Sequence, residues 1–269
     1  MSLSHEQIEQ YAADGYTVLN NQLSASEVQT LKSSIAELHE RRDPGTTWER
    51  DGKTVRAFHG CHMTEGPFDR LTRLPRFVTP ATELIGAPVY VYQFKIHMKS
   101  AFSGEGWKWH QDYVYWHEED GMPSPAAINL MLFLDAVTEF NGPMIILSGS
   151  HRYGLFDPLV KPVACADRPD WEQHVSADLK YSLPQSLVAD LARDATMVAP
   201  KGPAGTALFF HPSVAHASSA NLSPFDRTTI FITYNSVHNV PQHLSERRPA
   251  FLVSRDNTAV TPLPVDTLV

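Results

Sequence analysis

The chain is short of every feature that would mark it for an unusual class of protein. Only Cys61 and Cys165 are cysteine among 269 residues, which excludes a disulfide scaffold, makes a reducing compartment the expectation and leaves a single bridge open. No apolar stretch approaches the roughly 18 residues of a membrane span, and the opening MSLSHEQIEQ has neither the basic region nor the apolar run of a secretory leader. No membrane partner and a cytoplasmic location are therefore expected. Basic charge is scarce too. With 22 Lys and Arg against 30 Asp and Glu, the formal charge is -8, the wrong sign for neutralising phosphates, so no nucleic acid is expected and the partner should be a small molecule. Glycine (14) and proline (20) form no tracts, which removes collagen-like and low-complexity readings.

What remains is an ordinary globular composition, 42% hydrophobic, long enough to bury a substantial core. Up to residue 45 the pattern predicts two polar helices around the strand-like GYTVLN. The first starts at Ser4, and the second begins near Ser24 and carries Val28, Leu31, Ile35 and Leu38 at helical spacing. A further helix is expected from about Pro67 to Leu84, bent or broken by Pro75 and Pro80. From Val89 onward short β-type runs recur between Gly, Pro, Asn and Ser clusters: VYVYQFKIHMK, AINLMLFLDAV, GPMIILSGS, GTALFFHP and RTTIFITYNS. In the first of these, Tyr90, Tyr92, Phe94, Ile96 and Met98 fall on one face, and Gln93, Lys95, His97 and Lys99 on the other. That polar face lines a cavity if the sheets close on one, and otherwise faces water. Residues 157–199 read as an insertion, a loop followed by a helix around Leu183 to Arg193. With no repeat or linker, residues 1–269 read as a single, mainly β domain with an N-terminal helical cap.

Chemistry concentrates in two places. His110 and Asp112, in WKWHQDYVYW, lie two apart, so on an extended backbone both side chains reach the same side. With a third ligand they would form the two-histidine, one-carboxylate face that holds iron(II) and leaves positions open. Composition alone yields roughly one such pair by chance, so context must carry the reading. Downstream, GTALFFHPSVAHASSANLSPFDRTTIFITYN supplies a strand, a loop bearing His216 and a second strand opening with Arg227, with ten residues between the two. A guanidinium laid beside a metal there is a planar bidentate partner for a carboxylate.

Together these motifs resemble the iron(II)- and 2-oxoglutarate-dependent oxygenases of the phytanoyl-CoA dioxygenase superfamily. WHQDYVYWHEEDGMP with FNGPMIILSGSHRYG is similar to the signature of ectoine hydroxylases and bacterial free-proline 4-hydroxylases. TVRAFHGCH, VYVYQFKIHMK and FDRTTIFITYN resemble most the proline trans-4-hydroxylase branch. The resemblance implies a double-stranded β-helix, a cupin-like jelly roll, in which His110, Asp112 and His216 are catalytic and bind iron(II), while Arg227 and Ser218 hold the distal carboxylate of 2-oxoglutarate. It places His97 beside the co-substrate, where relatives usually carry Asn, and Trp116, Phe210 and Phe231 along the substrate pocket. Gln93 is a candidate for co-substrate and substrate alike, and Arg56 and His59 for substrate. Dioxygen is the implied oxidant and ascorbate the reductant used in vitro. A carboxylate at Asp112 argues for hydroxylation, since related halogenases carry a small residue there.

The expected reaction is hydroxylation of an unactivated C–H bond of a small amino or imino acid resembling proline, releasing succinate and carbon dioxide. Open alternatives are an oxygenase that tailors a larger secondary metabolite, a non-catalytic binding protein on the same fold, and a zinc hydrolase using the same triad. Bland readings accompany each motif. The aromatic residues around His110 suit a core, and His151 in GSHRY is a rival third ligand. Glu118, Glu119 and Asp120 read as a solvated turn, while His59, Cys61 and His62 are too close in sequence to converge on one zinc ion. Oligomeric state is unreadable.

Overall fold

The computed structural model describes residues 2–41, 43–64, 66–160, 171–172, 175, 178–242 and 248–268. Cys165, and with it the question of a bridge, lies outside the described residues, as does part of the 157–199 segment. In chain order the described elements are α1 (His5–Asp14), β1 (Tyr16–Leu19), α2 (Ala25–Arg41), β2 (Thr46–Trp48), β3 (Val55–His59), α3 (Pro67–Thr72), α4 (Pro75–Ile85), β4 (Val89–Lys99), β5 (Trp107–His110), α5 (Asp112–Glu118), β6 (Ala127–Phe133), β7 (Met144–Leu147), β8 (Leu159–Val160), β9 (Tyr181–Ser182), α6 (Gln185–Asp194), β10 (Met197–Val198), β11 (Ala207–Phe210), β12 (His216–Ser218) and β13 (Arg227–Ser236). No described helix is long and apolar enough to cross a membrane.

Local chemistry explains the helical cover. The backbone N–H of Gln7 donates to Ser4 Oγ, and the Gln7 side chain accepts from Ser4 N–H, a reciprocal cap that starts α1. Ser24 and Glu27 form the same pair at the start of α2. The expected helix over 67–84 is two helices. Leu74 is extended, as a residue before proline must be, and Pro75 opens α4 at a position where its missing N–H costs nothing.

Two antiparallel sheets make the body. The larger runs β1-β11-β6-β13-β4-β3-β2 and the smaller β10-β7-β12-β5. Helices α2, α3 and α4 cover the outer face of the larger sheet, where Leu31, Leu71, Leu74 and Phe77 pack with Phe94, Ile96, Leu130, Leu132, Ile230 and Ile232. These side chains are fully buried, so truncating one of the leucines to Ala should cost about 2–5 kcal/mol. Between the sheets, Met131, Phe133, Met144, Ile146, Leu208, Phe210 and Phe231 form a second core. This is a double-stranded β-helix, the jelly roll expected from the sequence.

Strict alternation along β4 fails at one point. The register with β13 passes from Thr233 opposite Gln93 to Tyr234 opposite Val91, a bulge at Tyr92. Phe94, Ile96 and Met98 keep the outer face, but Val89 and Val91 join them there, while Tyr90 and Tyr92 pack with Trp116 in a separate cluster. A single extra residue has therefore swapped the faces of the first part of the strand.

Candidate metal and co-substrate site

His110 closes β5, and pairing with β12 sets His216 directly opposite it, so the two rings lie 4.2 Å apart between centroids. Asp112 does not continue the strand as expected. Gln111 is extended (φ -118, ψ 134), which still turns His110 and Asp112 to one side, and Asp112 then opens α5. Gln111 is clamped: its amide N–H donates to Gly154 O (2.8 Å) and Ser213 O (2.6 Å), and its oxygen accepts from Phe156 N–H (2.9 Å). His216, read as a loop residue, begins β12. The ligand atoms of His110, Asp112 and His216 all lie within 4.8 Å of one another, and this is the only such group among the described residues. His59, Cys61, His62 and His151 form none.

Neighbours fix each potential ligand. His110 Nδ1 donates to Lys108 O (2.7 Å) and His216 Nδ1 to Val214 O (3.0 Å), which leaves both Nε2 lone pairs for an ion. Nε2 of His110 is 3.8 Å from one carboxylate oxygen of Asp112, and Nε2 of His216 is 3.9 Å from the other. Thr233 Oγ donates to Asn129 (2.7 Å), whose Nδ2 in turn donates to Asp112 (2.8 Å). Burial, and then His216, pushes His110 down to about 3. Burial works against ionisation of Asp112, but His216, Lys95, His110 and the Asn129 bond outweigh it and hold the carboxyl below its ordinary range. Neutral imidazoles and an anionic carboxylate are the forms that bind a divalent metal.

One cavity joins this cluster to Arg227 and Ser218. Arg227 is buried, its Nε has no hydrogen-bond partner among the described residues, and burial pushes its guanidinium down to about 10. A desolvated guanidinium fork facing a cavity is suited to the distal carboxylate of a dicarboxylic acid. His97 also lines the cavity, stacked on Trp107 (5.2 Å, 6°) and tilted against Phe231 (4.7 Å), with Nε2 unpartnered.

Gln93, Trp116 and Phe231 line the cavity, as expected. Three other candidates do not. Phe210 stands behind the wall, edge-on to His216 at 5.3 Å. Arg56 is buried in an ion pair with Glu49 (2.7 Å), with its guanidinium carbon 4.0 Å from the centroid of the Trp107 ring. It is not on the cavity lining. His59 sits opposite Lys95 across the β3–β4 pair, buried with both nitrogens unpartnered, but is not on the lining.

Sequence reasoning missed the cavity's other cations. Lys95 was legible only as one member of the polar face of β4. Arg248 and Asp120 gave no local signal, being 128 residues apart: Nε of Arg248 donates to Asp120 Oδ1 (2.8 Å), its Nη2 and the Tyr92 hydroxyl both reach Oδ2, and Arg248 lines the cavity. Asp120 is thus a buried strut and not part of a solvated turn.

A jelly roll whose cavity brings two histidines, one aspartate and an unpaired arginine together defines an iron(II)- and 2-oxoglutarate-dependent dioxygenase. The profile of the phytanoyl-CoA dioxygenase (PhyH) family matches residues 11–229, and the chain belongs to that family. It is 44% identical over 258 residues to the L-proline trans-4-hydroxylase of Streptomyces griseoviridis, covering 96% of this chain and 95% of that protein. With the ectoine dioxygenase of Bordetella parapertussis it shares 32% over 276 residues, 97% of this chain and 86% of the relative. Among solved structures it is similar to EctD from S. alaskensis with 2-oxoglutarate and 5-hydroxyectoine, at a TM-score of 0.83 and 28% identity over 99% of this chain and 89% of that one.

Proposed function

We propose that residues 1–269 form one dioxygenase domain that hydroxylates an unactivated C–H bond of a free amino or imino acid of about proline's size. His110, Asp112 and His216 hold iron(II) in this reading, and Arg227 with Ser218 holds the distal carboxylate of 2-oxoglutarate. Iron(II), 2-oxoglutarate and dioxygen supply the C–H oxidation, with succinate and carbon dioxide released. The chain's own residues bind, orient and exclude water. The substrate reading is carried by the 44% identity to a proline hydroxylase over nearly the whole of both chains. The cavity supports it: Lys95, Gln93 and Arg248 offer donors to a carboxylate, while Trp116, Met131 and Leu252 are apolar walls for carbon. Burial depresses the Lys95 ammonium and Asp112 opposes the shift, so a substrate carboxylate would gain a poorly solvated cation as partner. We place the enzyme in the cytoplasm on its scarcity of cysteine.

A panel of free amino and imino acids, incubated with iron(II), 2-oxoglutarate and ascorbate, should contain at least one that stimulates succinate release and gains about 16 mass units, one oxygen atom. If none does and a larger neutral metabolite does, the substrate reading is wrong and the dioxygenase stands.

A further inference from the structure

Lys99 and Arg227 are directly opposite each other in the β4–β13 pair, and both are buried. Like charges in that position repel. Among the described residues no acid is free to neutralise them. Asp135 acts on Arg227 but is bonded to Lys32 and the Thr228 N–H, and Glu49 acts on Lys99 but is committed to Arg56. Burial first, and then Arg227 and Arg56, pushes the Lys99 ammonium down to about 6.

The side chain is nevertheless held with care. Nζ donates to Ser218 Oγ (2.8 Å) and to Ser219 O. Its backbone carbonyl accepts from Asn221 Nδ2 (3.0 Å). Two glycines make the slot: a Cβ at Gly142 would lie 2.7 Å from Lys99 Cδ and 3.0 Å from Nζ, and one at Gly104 would lie 2.7 Å from Lys99 Cα. Nothing in the apolar core asks for an ammonium there.

We propose that Lys99 is a positioning residue for the co-substrate: by occupying Ser218 Oγ as acceptor, it leaves the Ser218 O–H to donate to the carboxylate that Arg227 pairs with. A hydroxyl that receives one hydrogen bond at its oxygen has its proton free for a second partner. Ser218 and Arg227 share the cavity wall, so that partner is the anion between them. This inference rests on the reading of Arg227 as the co-substrate anchor.

Binding measured without turnover tests it. Under nitrogen, enzyme loaded with iron(II) is titrated with 2-oxoglutarate and separately with 2-oxopentanoate, which has the same chelating end and no distal carboxylate, and each Kd is read from the visible absorption of the chelate. Lys99→Met should weaken 2-oxoglutarate about 10- to 100-fold while leaving 2-oxopentanoate within about twofold. Ser218→Ala should weaken 2-oxoglutarate similarly, and the double variant should bind no worse than Ser218→Ala alone, because one variant acts through the group the other removes. Unchanged 2-oxoglutarate affinity in Lys99→Met overturns the proposal, as does an equal loss for both ligands, which would mean a general disturbance of the site. Losses that multiply in the double variant also overturn it, since Lys99 would then act independently of Ser218. Should Arg227→Ala leave 2-oxoglutarate binding intact, it is the anchor assignment that fails, whatever Lys99 does.

Discussion

The two ends of the cavity are built on different principles. At the end bearing His110, Asp112 and His216, dedicated partners set the side chains. Lys108 and Val214 carbonyls aim the two imidazoles, Asn129 and Thr233 hold Asp112, and Lys99 holds Ser218. At the other end, the wall is assembled from α5, from Val175 and Leu179, and from Arg248 and Leu252. Arg248 is braced by Asp120, but Lys95 has no ion pair among the described residues. One end is preorganised for a constant chemistry and the other is a composite surface that can change with substrate. Donor groups positioned before reaction cost nothing to reorganise during it, which is why rigidity belongs at the metal end.

The largest effect should come from breaking the rigid end. His110→Ala, Asp112→Ala and His216→Ala should each abolish substrate-dependent succinate formation and weaken iron(II) retention, because each removes one of three protein donors. Circular dichroism should show a folded chain. Turnover at wild-type rate in any of the three would remove that residue from the metal site.

How far the sequence could be read follows the same division. His110 and Asp112 are two apart and Arg227 opens a strand eleven residues after His216, so local spacing carries most of the metal end. Even there, two local structures differed from expectation: Asp112 begins a helix directly after Gln111, which is clamped extended by bonds to Gly154, Ser213 and Phe156, and His216 begins a strand because it pairs with His110 on one side and Ile146 on the other. The mainly β character was legible because each long β run is bounded by turn residues, and the jelly roll followed from the family resemblance. The bulge at Tyr92 was not, since nothing in VYVYQFKIHMK breaks alternation; the partner strand imposes it. Arg248 and Asp120 meet across 128 residues, and no periodicity reports such a contact. Arg56 is a different case: its partner Glu49 is only seven residues away, brought beside it by the β2–β3 hairpin. Its burial in that ion pair is a tertiary fact that residue type alone does not report.

Arg56 and Lys95 make a paired test of that distinction. Arg56→Ala leaves the Glu49 carboxylate buried and unpaired, a loss of about 3–5 kcal/mol in urea unfolding. Substrate KM in the surviving folded enzyme should change little. Lys95→Met should do the reverse, raising substrate KM roughly 10- to 100-fold with near-normal stability, and uncoupled decay of 2-oxoglutarate should persist. If Arg56→Ala raises KM as much as Lys95→Met at unchanged stability, the two residues have been assigned the wrong way round.

The smallest expected effect concerns His59, behind the substrate wall. Burial first, then Lys95 and Arg248, pushes its pKa down to about 3, and neither ring nitrogen has a partner. An unfolded histidine titrates near 6.5. Between those values the unfolded chain binds a proton that the folded chain refuses, so stability is unaffected above pH 6.5 and falls as pH drops toward 3. At pH 5 the loss from this one group is about 2 kcal/mol. His59→Leu should therefore make the urea midpoint less sensitive to acidification from pH 7.5 to pH 5 than that of the wild type. Lys95 and Arg248 would be relieved of nothing in this variant, so substrate KM at pH 7.5 should stay put. An equally steep acid dependence in His59→Leu would mean that the imidazole is protonated or hydrated in the folded protein, and the wall behind Lys95 would then be wetter and more adaptable than the metal end in a way the unpartnered nitrogens do not reveal.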